Sequence, residues 1–199
     1  MILNLLITIH MMLSKHLSQF NFFMISIIAA IGKNNELGKN NDLLWDLPID
    51  MKHFRETTRG HTVIMGQKTF ESLAQNENGI QIGRLLPNRR NIILTQDKNF
   101  EKEGAEIVYS IDEALELLSK TTKQDEEVFV IGGGMIYKLF IDKADKLYIT
   151  HVDANFPDAE IYFPTIDENK WEKTKSEKHP KDEQNQYDLE FTEYTKKLS

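Results

Sequence analysis

The chain contains no cysteine, which excludes a disulfide framework, a thiolate nucleophile and a Cys-ligated metal, so stability must come from an ordinary core. It lacks positive charge as well: 31 acidic against 24 basic residues give a net charge of −7. No general attraction to nucleic acid or to an anionic membrane is expected, and a small or neutral partner fits better. The six histidines (10, 16, 53, 61, 151 and 179) show no metal-ligand spacing, so no metal is expected, and no hydrolytic triad can be assembled. Long hydrophobic runs are missing too. Met1 to Leu13 falls short of the roughly 18 to 20 apolar residues that span a bilayer, and no A-x-A-like cleavage site follows it. No positive charge precedes this run, whereas Lys15 and His16 follow it, the wrong order for export. Residues 1–23 read as an N-terminal extension, with Met24 as a candidate start of translation and 24–199 as the domain. What is present is globular in balance: 199 residues, 40% hydrophobic and 28% charged, suit one domain with an extension or long loops.

From Met24 onward, strand and helix signals alternate. Ile25 to Ile31 (ISIIAAI) is continuously apolar, as a strand covered on both faces should be. The segment from Gly32 to Asp46 is polar and reads as a long loop. Pro48 suits a first helical turn, and Leu47, Met51 and Phe54 follow at helical spacing to about Thr57. Thr62 to Met65 reads as a strand, Lys68 to Leu73 as a short helix, and Ala74 to Arg84 as a loop. Asn91 to Thr95 and Glu106 to Tyr109 read as strands. Ile111 to Lys120 is an amphipathic helix, with Asp112 near its N-terminus. Glu127 to Ile131 is a strand ending in Gly132-Gly133-Gly134, followed by a helix from Met135 to Phe140 and a strand from Lys146 to His151. Trp171 to Lys178 and Tyr187 to Lys196 alternate like antiparallel strands. The pattern is that of an α/β three-layer sandwich with a mostly parallel sheet and an antiparallel C-terminal edge.

Several residues invite a chemical reading. The three glycines, between a buried strand and a helix, allow backbone N–H groups to approach a diphosphate; the alternative is a tight turn. Lys68 and Thr69 offer a cation and a hydroxyl at another helix start, or are simply solvated there. Asp50 lies three residues after Leu47 and four before Phe54, so its carboxyl falls on the apolar face of the helix. It either complements the helix dipole or, desolvated, engages a nitrogen heterocycle and promotes its protonation. Trp45 either walls that pocket or packs in the core. Arg89, in a turn after Leu86-Pro87-Asn88, can clamp a carboxylate bidentately or sit at the surface.

Together, ISIIAAIG, LLWDLPIDMKHF, HTVIMGQKTFESL, LPNRRNIILT, VFVIGGGMIY, KLYITHVDA and the FP at 163–164 resemble dihydrofolate reductase in content and order, from about Met24 to Lys197. The resemblance implies an eight-stranded, mainly parallel sheet and an enzyme that reduces 7,8-dihydrofolate with NADPH and is inhibited by antifolates. It also implies a cytoplasmic protein, expected to be a monomer. Asp50 matches the active-site acid, Thr150 its hydrogen-bonded partner, and Trp45 the residue that orders a nearby water. Ile28, Met51 and Phe54 would line the pterin and benzoyl pocket. Leu86 would pack on the benzoyl ring, Arg89 would bind the glutamate α-carboxylate, and Arg84 would reach the same tail. Ala30 and the segment Glu36, Leu37, Gly38, Lys39, Asn40, Asn41 and Asp42 would flank the nicotinamide, the segment acting as a lid. Lys68, Thr69, Thr95, Gln96 and Tyr109, with Gly132, Gly133, Gly134, Met135, Ile136, Tyr137, Lys138 and Leu139, would follow the ribose, phosphates and adenine. A cis peptide is implied at Gly132-Gly133.

Some positions depart from that pattern. Gln67 and Met135 stand where arginines often contact the cofactor, which leaves Lys68 as the main cation for the 2′-phosphate. Leu43 and Leu44 replace a pair that often contains proline, and Ala74 to Gly83 is longer than in compact bacterial forms. Two rivals remain beside this resemblance. One is the related reductase of riboflavin biosynthesis, which lacks the Asp50 and Arg89 context. The other is a folate or nucleotide binding protein without catalysis.

Overall fold

The computed structural model describes residues 23–74, 79 and 82–197. The apolar run Met1 to Leu13 and most of the 74–83 loop lie outside the described residues. Among the described residues eleven strands and four helices follow one another. The strands are β1 (Met24–Ile31), β2 (Glu36–Lys39), β3 (Asp42–Leu43), β4 (Thr62–Gly66), β5 (Arg90–Leu94), β6 (Ala105–Val108), β7 (Glu127–Gly132), β8 (Lys146–Val152), β9 (Ile161–Tyr162), β10 (Trp171–His179) and β11 (Leu189–Lys196). The helices are α1 (Pro48–Thr58), α2 (Gln67–Ser72), α3 (Ile111–Thr121) and α4 (Gly134–Phe140).

The main sheet has eight strands in the order β10-β11-β8-β1-β7-β4-β5-β6. From β8 to β6 every pairing is parallel, whereas β11 runs antiparallel to β8 and β10 antiparallel to β11. Parallel strands need cover on both faces, which is why their sequences are continuously apolar. Within β4 the side chains alternate accordingly: Ile64 joins a cluster with Ala114, Leu118 and Phe140, while Val63 and Met65 join another with Phe54 and Phe70. A third cluster, around Trp45, Leu47, Val152 and Leu189, fills the space beside β8.

Helix ends are satisfied in two different ways. At α3 the Ser110 hydroxyl accepts from the Glu113 N–H at 3.1 Å, and the Glu113 carboxylate accepts from the Tyr109 N–H at 2.7 Å, a reciprocal cap. α1 has no side-chain cap of its own. Its Ile49 N–H instead donates at 3.1 Å to Asn185 Oδ1 from the turn between β10 and β11. Asn185 is buried and is itself held by Asp182 at 2.9 Å.

One expectation needs correcting. The Gly32 to Asp46 segment is not a plain loop, because β2 and β3 form a hairpin there and pair with β9 in a second sheet of order β3-β2-β9. Asn40 and Asn41 make its two-residue turn with φ of 52° and 60°, a conformation Asn tolerates and hairpins favour. Gly38 is required by the close approach, since a Cβ there would lie 2.6 Å from the Asp42 carbonyl oxygen. No helix among the described residues is long and apolar enough to cross a membrane.

The packing sets an ordering for stability. Leu118→Ala, at a fully buried site on α3, should cost about 2–5 kcal/mol. Ser110→Ala should cost only about 1 kcal/mol through the lost cap. Urea unfolding of both variants measures the difference.

Candidate active site

The chain leaves β1 toward β4 on one side and leaves β7 toward β8 on the other. The carboxyl ends of β1 and β7 therefore flank a crevice, the usual ligand site of such sheets. Asp50 stands beside it in the first turn of α1. Its side chain is hydrogen-bonded to the Thr150 hydroxyl, and Thr150 is buried on β8 in register with Ala30 on β1. Asp50 also lines a cavity of about 590 Å³ with Asp42 to Leu47, Met51 and Gln186. Trp45 forms part of the wall, and its buried Nε1 has no acceptor among the described residues. Ile28, Phe54 and Leu86 meet in the core cluster next to α1.

Burial raises the Asp50 carboxyl above its ordinary value of 3.8, and the Thr150 hydrogen bond only partly offsets it. The Asp50 charge is felt at Tyr137, whose phenol is pushed far up first by burial and then by that charge. Tyr137 donates to the Ile28 carbonyl at 2.8 Å and so fastens α4 to the centre of β1.

Arg89 lies at the far end of α1. It donates from Nε to Thr58 Oγ1 at 2.9 Å, from Nη1 to the Pro87 carbonyl at 2.8 Å, and from Nη2 to the Arg55 carbonyl at 2.9 Å. Its guanidinium carbon is 6.0 Å from the centre of the Phe54 ring. Burial, then the charges of Arg59 and Arg55, lower its pKa. This cluster of cations is suited to an anionic tail. Arg84 is exposed.

The Gly132-Gly133 peptide is cis. A Cβ on Gly133 would stand 3.0 Å from Thr69 Oγ1, and one on Gly132 would stand 3.4 Å from Thr69 Cγ2. The bare glycine backbone is thus packed closely against the Thr69 side chain, which leaves its surface free of side chains of its own. Met135 is 70% exposed and Lys138 and Leu139 are also exposed, whereas Ile136 and Tyr137 point into the core. Thr95 is buried and hydrogen-bonded to Gln67, while Gln96 and Lys68 are exposed. Tyr109 carries Lys98 Nζ 3.6 Å above its ring centre. The hairpin reaches this side too: Asn41 Nδ2 donates to the Lys68 carbonyl at 2.9 Å, and Lys39 Nζ lies 3.8 Å from Asp158. Leu37 lies beside Gly134, its Cδ1 3.9 Å from the position a Cβ there would take. Glu36, at the base of the hairpin, is turned inward and buried.

A family profile described as dihydrofolate reductase matches residues 24–196. The chain belongs to the dihydrofolate reductase family. It is 43% identical over 176 residues to the dihydrofolate reductase of Bacillus subtilis (strain 168), covering 88% of this chain and 96% of that one. To the Haemophilus influenzae enzyme it is 40% identical over 172 residues, covering 86% and 98%. Among solved structures it is similar to dihydrofolate reductase from Enterococcus faecalis complexed with NADP(H) and RAB-propyl. That match has a TM-score of 0.75 and 31% identity, with 88% of this chain and 97% of that one covered. The family is one of oxidoreductases.

Two contributors to the crevice have no local signal in the sequence. Gln186 comes from a polar segment that reads only as a connector, and Phe156, whose ring centre is 4.8 Å from that of Trp45, comes from an irregular stretch after β8. A second groove, of about 520 Å³, runs past Lys33, His151, Lys173 and Glu190. Its charges pair internally, Lys33 with Asp153 at 2.7 Å and Lys173 with Glu190 at 3.2 Å, and none of the expected site residues lines it.

Asp50 carries a stability consequence. A carboxyl whose pKa is raised on folding favours the folded state fully below 3.8, and that contribution is lost as pH rises through the raised value. Asp50→Asn should therefore raise the thermal midpoint at neutral pH, with the gain shrinking on acidification. Thermal denaturation across pH 3 to 8 measures it, and a lowered midpoint at pH 7 would contradict a desolvated charge.

Proposed function

We propose that the chain catalyses NADPH-dependent reduction of 7,8-dihydrofolate to 5,6,7,8-tetrahydrofolate, with domain 24–199 acting as a cytoplasmic monomer that supports one-carbon metabolism. The observation that carries this reading is the desolvated Asp50 carboxyl, shared between the Thr150 hydroxyl and the cavity at the crevice. A desolvated acid with one polar partner beside a cavity is the group a pterin needs. It accepts hydrogen bonds from the ring N3–H and 2-amino group, and burial makes it a stronger proton acceptor than an ordinary aspartate.

Bound NADPH supplies the hydride that reaches C6 of the pterin. The remaining work falls to the chain. Asp50 assists protonation of N5 through water, and the buried Trp45 Nε1 offers a donor to that water. Ile28, Met51 and Phe54 hold the pterin and benzoyl rings, and Leu86 packs on the benzoyl ring. Arg89, its Nη1 and Nη2 already engaged with backbone carbonyls, is pre-oriented toward the glutamate tail, with Arg84 nearby in sequence. Antifolates compete for the same cavity. The bare glycine backbone opposite Thr69 takes the diphosphate, Ala30 and the β2–β3 hairpin cover the nicotinamide, and Lys68 reads the 2′-phosphate. Reduction consumes one proton and oxidises NADPH to NADP⁺, so the balance closes without a metal.

The direct test is the decay of nicotinamide absorbance with and without 7,8-dihydrofolate. Substrate-dependent oxidation blocked by an antifolate is expected; tight binding of both ligands without oxidation would favour a binding protein. Asp50→Asn should retain cofactor affinity while losing turnover, most severely at neutral and high pH. Near-normal turnover there would remove Asp50 from the proton step. Lys68→Ala should weaken NADPH more than NADH in a titration of cofactor affinity, and equal losses would free Lys68 from the 2′-phosphate.

A further inference from the structure

Glu36 is the one ionisable side chain among the buried polar residues described, at 2% exposure. A buried carboxylate is costly unless polar partners surround it. Here they are neutral N–H donors on two separate segments. The Asn34 backbone N–H donates to Oε2 at 2.7 Å, and Asn34 Nδ2 donates to Oε1 at 2.9 Å. The Phe156 backbone N–H donates to the same Oε1 at 3.2 Å. Burial pushes this carboxyl up, yet the Asn34 and Phe156 hydrogen bonds outweigh it and hold the group below its ordinary value. Asn34 Nδ2 also reaches Asn155 Oδ1 at 3.2 Å, which ties the same two segments a second time.

Room for the carboxylate depends on Gly32. A Cβ there would lie 2.5 Å from Glu36 Oε2 and 2.9 Å from Phe156 Cδ2. Beyond the joint, the Phe156 ring packs between Trp45, at 4.8 Å and an interplanar angle of 53°, and Tyr187, at 5.6 Å and 85°. Trp45 lines the cavity that contains Asp50.

We propose that Glu36 is a positioning residue: its carboxylate clamps the turn after β1 to residue 156 and, through the Phe156 ring, sets Trp45 in the cavity wall. The kinetic consequence rests on the reductase reading above, whereas the structural consequence does not. Replacing one oxygen by an amide nitrogen turns an acceptor into a donor facing another donor, so Glu36→Gln removes the charge and at least one hydrogen bond and weakens the clamp with almost no change of volume. Gly32→Ala breaks it from the other side by displacing the carboxylate sterically, with every hydrogen-bonding side chain of the clamp retained.

The test uses the full, ligand-free chain labelled with ¹⁵N. The protein has two tryptophans, so the indole N–H region gives two signals, assigned with Trp45→Phe. In Glu36→Gln and in Gly32→Ala, loss of the Phe156 ring current should shift or broaden the Trp45 signal and leave Trp171, on β10, as the internal reference. A Trp45 signal unmoved in folded Glu36→Gln would overturn the proposal. Should that variant fail to fold, Asn34→Ala removes only the Nδ2 donor and should move the same signal less, and an unmoved signal there overturns it equally. In turnover, Glu36→Gln should lower kcat by about tenfold or more, and an unchanged kcat would overturn the positioning role. Absence of turnover in the unsubstituted chain would remove the reductase reading and leave the indole test standing.

Discussion

The position of β1 between β7 and β8 is the constraint on which the site depends. Parallel pairing on both sides fixes Ile28 opposite Tyr148 and Ala30 opposite Thr150, and it aligns Ile27 with Val130 just before the glycine turn. Each part of the crevice hangs from the carboxyl end of one of these three strands. α1 follows β1 and brings the acid, β8 brings the hydroxyl that bonds it, and β7 brings the bare backbone facing Thr69. A slip of one residue in any of these pairings would turn Thr150 and Ile28 to the opposite face of the sheet.

Much of this frame is legible in the sequence, because strands covered on both faces must be continuously apolar. ISIIAAI, TVIM, NIIL and VFVI could be read as strands on that ground alone, and α3 could be read from its periodicity. The β2–β3 hairpin and β9 were not legible in the same way. They are two to four residues long, and their pairing joins segments more than a hundred residues apart, beyond any local period. The Asn40-Asn41 pair was a turn signal that the surrounding polarity concealed. At the site, the place of Asp50 on the apolar face of α1 follows from spacing. The remote neighbours Gln186 and Phe156 do not, since only the fold brings them there.

Asp50 and Glu36 show how one functional group is given opposite properties within one small domain. Both carboxyls are withdrawn from water. Asp50 has the Thr150 hydroxyl as its hydrogen-bond partner and stays too basic for an ordinary aspartate. Glu36 receives N–H donors from Asn34 and Phe156 and stays too acidic for an ordinary glutamate. Desolvation dominates at Asp50, with one hydrogen bond against it, whereas several N–H donors outweigh burial at Glu36, so one carboxyl is the better proton acceptor and the other a fixed negative strut. Neither count is visible from the residue types.

The borrowed cap on α1 has a consequence for how the molecule comes into being. Ile49 and Asn185 are 136 residues apart, and chains leave the ribosome from the N-terminus. The helix bearing the acid emerges early, but its first turn lacks this cap until Asn185 has been made and the β10–β11 hairpin has folded back against β8. Maturation of the crevice is therefore a closing event: until residue 185 is in place, the acid stands on a helix whose first turn lacks this cap.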